Sequence, residues 1–97
     1  MTLISLDARI SPSPDVVSRV VGGELVLLDL ESATYFGLNE VGSRMWTLMG
    51  ELGSLRQVCD TVSREYDVSR AQLERDLLAL VRELHDKGLL QVSGGNR

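Results

Sequence analysis

The sequence predicts an α+β fold in which a three-stranded antiparallel β-meander is followed by three α-helices. Two observations lead to this prediction. Up to residue 38, the apolar residues stand in short runs, rich in β-branched side chains and separated by turn residues, which is typical of strands. From Asn39 onward the apolar residues recur at intervals of three and four, which is the spacing of an amphipathic helix.

The predicted meander begins with two β-branched runs that are joined by a tight turn. Residues Val16–Val21 and residues 24–30 flank Gly22 and Gly23. Because glycine adopts positive φ without steric cost, a Gly-Gly pair suits a two-residue hairpin turn. A second short turn leads into Thr34–Leu38, which we expect to be the third strand of the meander.

Each of the three predicted helices has its own start signal. Asn39 is a favoured N-cap residue for the first helix, and Gly53 suits the left-handed position just beyond its end. Ser54 and Ser69 each stand three residues before a glutamine, which is the capping-box spacing, so they open the second and third helices. We expect the third helix to stop at Gly88.

The apolar side chains of each predicted helix fall on one face, as expected for a helix that packs against a core. They are Val41, Met45, Trp46, Leu48, Met49 and Leu52 in the first helix, Leu55, Val58, Cys59, Val62 and Tyr66 in the second, and Leu73, Leu77, Leu80, Val81 and Leu84 in the third.

The chain divides into an extended N-terminal arm over residues 1–14, a domain over residues 15–92 and a flexible tail over residues 93–97. Residues 11–14 read Ser-Pro-Ser-Pro, and a residue that precedes proline disfavours helix. Apolar residues of the arm can pack on the domain or pair as an edge strand. Residues 89–92 can add a short strand after the third helix.

Composition argues against several classes of function. With 97 residues the chain has room for one core, but not for a deep catalytic cavity with supporting side chains. Its formal charge of -4 disfavours nucleic acid as the main partner, because binding phosphates needs a basic face. No apolar run approaches the roughly 20 residues that span a bilayer. We therefore expect a cytoplasmic protein without a membrane partner.

Candidate catalytic and metal-binding residues are scarce. One cysteine and one histidine form neither an internal disulfide nor a zinc site. His85 and Asp86 are helix neighbours that point in different directions, so they make a poor catalytic pair. Cys59 lies on an apolar helix face, where a thiol usually packs as a small hydrophobe. The sequence therefore predicts no enzyme, no catalytic residue, no metal and no cofactor.

Strands combined with three short helices also occur in winged helix-turn-helix proteins, so the predicted fold is winged helix-turn-helix-like. In DNA-binding members a helix with basic and amide side chains enters the major groove. The third predicted helix carries equal numbers of basic and acidic side chains and offers phosphate no attractive face. They are Arg70, Arg75, Arg82 and Lys87 against Glu74, Asp76, Glu83 and Asp86. A DNA-binding regulator is therefore the weaker alternative.

The third predicted strand is a candidate binding element. Thr34–Leu38 leads directly into the helices, so one of its edges can present unpaired backbone N–H and C=O groups. Such an edge captures an extended peptide by strand addition. The alternative is that the N-terminal arm covers this edge, and the spacing of residues leaves both possibilities open.

Five motifs, in order along residues 16–90, resemble the PqqD-like family. The most specific is Leu38-Asn39-x-Val41-Gly42 followed by Trp46, where the third strand meets the first helix. The complete set comprises Val26-Leu27-Leu28-Asp29, the run from Tyr35 to Gly42, Met45-Trp46, Tyr66-Asp67-Val68, and Asp76-Leu77-Leu78 with the ending Leu84 through Gly88-Leu89-Leu90.

The resemblance implies a non-catalytic adaptor. PqqD-like domains are recognition elements for ribosomally synthesised, post-translationally modified peptides. They bind the leader segment of the precursor peptide as a strand beside the third strand and against the third helix. The residues implied for peptide binding are Thr34, Tyr35, Phe36, Gly37 and Leu38 on the strand, and Leu73, Asp76, Leu77, Leu80 and Glu83 on the helix.

The resemblance also implies partners. A single short chain is similar to the stand-alone recognition proteins of lasso-peptide biosynthesis. These deliver the leader to a transglutaminase-like cysteine peptidase and to an asparagine-synthetase-like cyclase. The alternative within the family is a chaperone for a radical-SAM enzyme, such as the maturase of pyrroloquinoline quinone synthesis.

Overall fold

The predicted order of strands and helices is confirmed in the computed structural model, which describes residues 4–93. The elements are β1 (Arg9–Pro12), β2 (Val16–Val21), β3 (Glu24–Asp29), β4 (Thr34–Leu38), α1 (Glu40–Leu52), α2 (Leu55–Glu65), α3 (Arg70–Asp86) and β5 (Leu90–Ser93). The fold is therefore α+β, with the meander β2-β3-β4 preceding the helices.

The meander is antiparallel and follows the predicted turn chemistry. Gly22 and Gly23 connect β2 to β3 with φ values of 58° and 85°, the positive region that a tight hairpin turn requires. Leu27, at the centre of β3, is fully buried, so one face of the sheet packs on the core. β3 ends at Asp29, and Leu30 lies beyond it with 62% of its surface exposed.

The N-terminal arm is attached to the other end of the chain. β1 pairs antiparallel with β5, and Ile10 lies opposite Val92. Ile10 is 4% exposed, so the arm contributes a side chain to the core. Both expected placements of the arm therefore occur: Ile4 and Ile10 pack in the core, and β1 forms an edge strand paired with β5. The first residues of the predicted arm, 1–3, and most of the predicted tail, 94–97, lie outside the described residues.

The helices begin at the predicted residues. The Asn39 side chain accepts a hydrogen bond from the Gly42 N–H at 2.8 Å at the start of α1. Ser54 and Ser69 accept the N–H of the residue three positions later, at 3.4 and 3.2 Å respectively. Gly53 follows α1 with a φ of 67°, as expected for a glycine that ends a helix.

All three helices and both sheets contribute to one core. Met45, Trp46 and Met49 are 3%, 7% and 0% exposed, so they pack in the core, as their helical spacing predicts. Cys59 belongs to the same core, with 1% of its surface exposed. No helix within residues 4–93 is long and apolar enough to cross a membrane.

Candidate functional site

A cavity of about 420 Å³ lies beside β4, between this strand, the start of α1 and the middle of α3. We call it the groove. It is lined by Phe36, Gly37, Leu38, Asn39, Val41, Gly42, Met45, Asp76 and Leu80.

One edge of β4 is open. The strand order is β2-β3-β4, so β3 pairs with β4 on one side, and within the described part of the chain no strand pairs with its other side. β1 does not cover that edge, since it lies in a separate two-stranded sheet with β5. Of the two possibilities that the sequence left open, residues 4–93 therefore show the open edge.

Side chains alternate between the two faces along β4. Phe36 lies opposite the buried Leu27 and is half-buried against the core, and Leu38 is 3% exposed. Tyr35 and Gly37 point the other way, and 74% of the tyrosine surface is exposed. Phe36 and Leu38 therefore form the floor of the groove, whereas Tyr35 belongs to the opposite face of the sheet.

A compact turn fixes the start of β4. The carboxylate of Asp29 accepts the N–H of Glu31 and the hydroxyl of Ser32, both at 3.0 Å. Ser32 Oγ also lies 2.9 Å from Oγ1 of Thr34, and it accepts the Thr34 N–H at 3.3 Å. Ala33 takes a positive φ of 60° within this turn. These bonds position Thr34, which is half-buried at the first residue of the strand.

The helix residues expected at the site occupy different positions on α3. Asp76 and Leu80 line the groove, so the structure brings them together with β4. Glu83 is exposed and is not part of the lining. Leu73 and Leu77 are 1% and 0% exposed and lie in the core. These two leucines therefore offer no free surface to a ligand, and they pack α3 against the core.

One negative and one positive charge accompany the apolar floor of the groove. The carboxylate of Asp76 accepts a hydrogen bond from Nε2 of Gln72 at 2.8 Å, and Oε1 of that glutamine accepts one from Arg75 at 2.9 Å. Nζ of Lys87 lies 5.9 Å from the centroid of the Phe36 ring, within the range of a cation–π interaction. The groove can therefore bind apolar side chains between polar neighbours.

The start of α1 contributes groove residues that the sequence reasoning missed. Asn39, Val41, Gly42 and Met45 line the groove together with the end of β4. A Cβ atom on Gly42 would stand 3.2 Å from Oδ1 of Asn39 and 3.4 Å from Cδ2 of Leu38, so glycine allows the helix to start close to the strand. The motif Leu38-Asn39-x-Val41-Gly42 was the signal that marks this junction.

Titratable side chains are scarce in the described lining of the groove. Among its described lining residues, Asp76 has the only titratable side chain. Burial raises the pKa of the Cys59 thiol, and this thiol lies in the core. His85 Nδ1 stands 4.0 Å from Asp86 Oδ1 near the end of α3, away from the groove lining. Within residues 4–93, no cluster of three or more His, Cys, Asp or Glu could hold a metal ion.

Two solved structures are similar to this chain. One is TbiB1 in complex with the TbiA(beta) leader peptide, at 41% sequence identity and a TM-score of 0.79, covering 88% of this chain and 99% of that one. The other is a lasso peptide synthetase B1 complexed with the leader peptide, at 28% identity and a TM-score of 0.78, covering 86% of this chain and 98% of that one. No curated protein gives a significant match.

A family model agrees with these structures. The model of coenzyme PQQ synthesis protein D (PqqD) matches residues 24–90, which include the meander from β3 onward, all three helices and the first residue of β5. This match spans more than half of the chain and contains every residue that lines the groove. The chain therefore belongs to the PqqD family.

Proposed function

We propose that this protein is a non-catalytic adaptor that binds the leader of a ribosomally synthesised precursor peptide by strand addition to β4. The observation that supports this most directly is the groove, about 420 Å³ in volume, along the open edge of that strand. Main-chain hydrogen bonds to a strand edge supply affinity, while pockets for alternate side chains supply specificity. The groove provides both features at one place.

β2 is the other edge strand of the meander, but its surroundings suit a peptide less well. One cavity near β2 has three charged residues in its lining, Glu24, Glu40 and Arg44. Arg44 is already paired with Glu65 at 2.7 Å, and Glu40 accepts a hydrogen bond from the Tyr66 hydroxyl at 3.3 Å. An apolar side chain placed there would displace water from charged groups, which is unfavourable. The groove beside β4 has one charged residue, Asp76, among its described lining residues, so fewer charged groups would lose water there.

The proposed complex assigns different roles to the expected site residues. The backbone of Thr34–Leu38 pairs with the leader, and Phe36 and Leu80 contact the leader side chains that enter the groove. Asp76 and Glu83 lie at the polar margin of α3, where they contact the leader from the solvent side. Leu73 and Leu77 keep α3 in place from the core and make no direct contact.

The similar solved structures favour lasso-peptide biosynthesis over the radical-SAM alternative. Both are complexes with a leader peptide, and one protein is a lasso peptide synthetase B1. In this proposal the adaptor works in the cytoplasm and delivers its leader to a transglutaminase-like cysteine peptidase and to an asparagine-synthetase-like cyclase.

A titration with matched variants tests the proposal. The probe is a fluorescein-labelled synthetic leader of the precursor peptide encoded beside the gene for this chain. Leu80→Glu replaces an apolar side chain of the groove with a charged one. It should weaken leader binding at least about ten-fold, because the complex loses an apolar contact and buries a charge. Ala79→Glu adds the same charge at an exposed neighbouring position of α3 and should change affinity less than about two-fold.

Circular dichroism of each variant establishes that its helices are intact. The absence of saturable binding by the wild-type protein would refute the proposed function. Equal affinities of the wild type and Leu80→Glu would show that the leader binds elsewhere.

A further inference from the structure

β2 is an edge strand of the meander, and its apolar side chains are exposed on both faces. Val17 and Val21 are 45% and 56% exposed on the solvent side, which we call the outer face, and Val20 is 70% exposed on the side of α1. The lining of the outer face comprises Val17, Arg19, Val21, Val26, Leu28, Leu30 and Tyr35. Within residues 4–93, no strand pairs with the free edge of β2. An exposed, apolar edge strand is a template for pairing with another chain.

The free edge of β2 presents its backbone groups at alternate residues. The two residues that flank the two-residue turn after β2 form a hydrogen-bonded pair, so the odd-numbered residues of β2 bond to β3. Asp15 continues this pattern, since its carbonyl oxygen accepts the N–H of Leu30 at 3.0 Å. The N–H groups of Ser18 and Val20 and the carbonyl oxygens of the even-numbered residues therefore point away from β3.

The outer face of β2 has one positive charge, with a negative charge just before the strand. Arg19 lies near the middle of β2, and Asp15 directly precedes the strand in the same alternation of faces. Both residues are exposed, and within residues 4–93 neither side chain forms an ion pair. A charge on an edge strand opposes pairing unless the register sets it opposite a charge of the other sign.

One register makes β2 complementary to a second copy of itself. A two-fold axis normal to the sheet keeps both outer faces on one side, and it passes through one residue of β2. At Arg19 it would set like charges opposite each other, and at Ser18 it would set each arginine opposite Val17. At Val17 it sets each Arg19 opposite Asp15 of the second copy, which gives two ion pairs. This register also sets the Ser18 N–H opposite the carbonyl oxygen of Val16, so free backbone groups find partners.

We propose that two copies of this protein associate through β2 in this register, so that their meanders form one continuous antiparallel sheet of six strands. Val17 then packs on Val17 of the second copy, and the two outer faces join across the axis. β4 is the opposite edge strand of each meander, so both grooves lie at the far ends of the sheet. This dimer leaves the open edge of β4 free in each copy, and the inference does not depend on the proposed function.

Analytical ultracentrifugation with exchanged charges tests the association. The mass of the wild type should approach twice the 10.7 kDa of one chain as the concentration rises to about 200 μM. Arg19→Glu sets two pairs of like charges across the axis and should raise the dimer Kd at least about ten-fold. Combining it with Asp15→Arg exchanges the charges and should return the Kd to within about three-fold of the wild type. Arg82→Glu makes the same charge change at an exposed position of α3 and should alter the Kd less than about two-fold.

Cysteine substitutions test the register. Val17→Cys brings two thiols together at the axis, where directly opposite Cβ atoms stand about 4.5–5.5 Å apart, so mild oxidation should join two chains by a disulfide. Val21→Cys is the matched control on the same face. Its two copies stand about eight residues, or about 27 Å, apart along the strands and should not join. The native Cys59 is 1% exposed and does not compete.

Circular dichroism of each variant establishes that its fold is intact. A wild type that keeps the mass of one chain up to about 200 μM would overturn the inference. A dimer that Arg19→Glu does not weaken would also overturn it, as would cross-linking of Val21→Cys as readily as Val17→Cys. In either case the copies would associate through another surface.

Discussion

Individual residues of α3 illustrate the limit of sequence reasoning at the site. Leu77 and Leu80 fall on the same helical stripe, and their spacing predicts one apolar face for both. In the structure Leu77 is fully buried, whereas Leu80 is half-buried and lines the groove. Which edge of the stripe stays open depends on how α3 packs in the fold, where Leu80 lines the groove together with residues of β4 and α1. This is a tertiary contact that periodicity does not encode.

The two leucines should therefore respond differently to truncation. Leu77→Ala removes fully packed methyl groups and should lower the free energy of unfolding by about 2–5 kcal/mol. Leu80→Ala should lower the free energy of unfolding by about half as much or less, because part of the Leu80 side chain already meets water. It should nevertheless weaken leader binding more than Leu77→Ala does. Urea denaturation followed by circular dichroism measures the first quantity. Equal losses of stability would contradict the assignment of Leu77 to the core and of Leu80 to the groove.

At the scale of elements, local signals predicted the helix starts and the glycine hairpin correctly. Asn39, Ser54 and Ser69 all cap their helices as expected, since capping depends only on residues within one helical turn. The contacts between elements were not predictable in this way. One of them joins the helices α1 and α2, where the Arg44 guanidinium donates to both carboxylate oxygens of Glu65 at 2.8 and 2.7 Å.

This ion pair predicts a pH dependence of stability. The hydrogen bonds from Arg44 lower the pKa of the Glu65 carboxyl below its ordinary value. A carboxyl with a lowered pKa in the folded state stabilises the protein above the pKa of the unfolded state, about 4.3. That contribution is lost as the pH falls through the lower, folded-state pKa. Glu65→Gln should therefore have a lower Tm than the wild type at about pH 7, and the difference should disappear toward about pH 2.

Thermal melts across this pH range measure the effect, with Glu31→Gln, an exposed residue between β3 and β4, as a control. A Tm difference for Glu65→Gln that stays constant with pH would mean that the charge of Glu65 does not stabilise the junction of α1 and α2.

At the scale of the whole molecule, the two ends of the chain form a sheet of their own. Ile10 pairs with Val92, and the Ser13 hydroxyl donates to the backbone oxygen of Gly88 at 2.8 Å. The sequence left the partner of the arm undecided, because pairing between the chain ends produces no local pattern. This pairing also affects the groove. Because β1 lies beside β5, no described strand covers the second edge of β4. The assignment of residues 1–14, 15–92 and 93–97 to arm, domain and tail stays a prediction.

The groove likewise combines predictable and unpredictable parts. Its strand was predicted from Thr34–Leu38, because an edge strand that leads directly into helices is visible in the order of elements. The contribution of Val41 and Met45 was missed, since both have the spacing of ordinary core residues. They reach the groove because Gly42 allows α1 to begin close to the end of β4.

Amide hydrogen exchange, followed by NMR with and without the leader, tests the central claim that the leader binds as a strand on β4. The account predicts that alternate amides within Thr34–Leu38 exchange at least about ten-fold more slowly in the complex, since the leader pairs with their N–H groups. The amides of β2 should exchange at unchanged rates. A leader that binds while β4 exchanges as before, or that protects the β2 edge instead, would contradict the account.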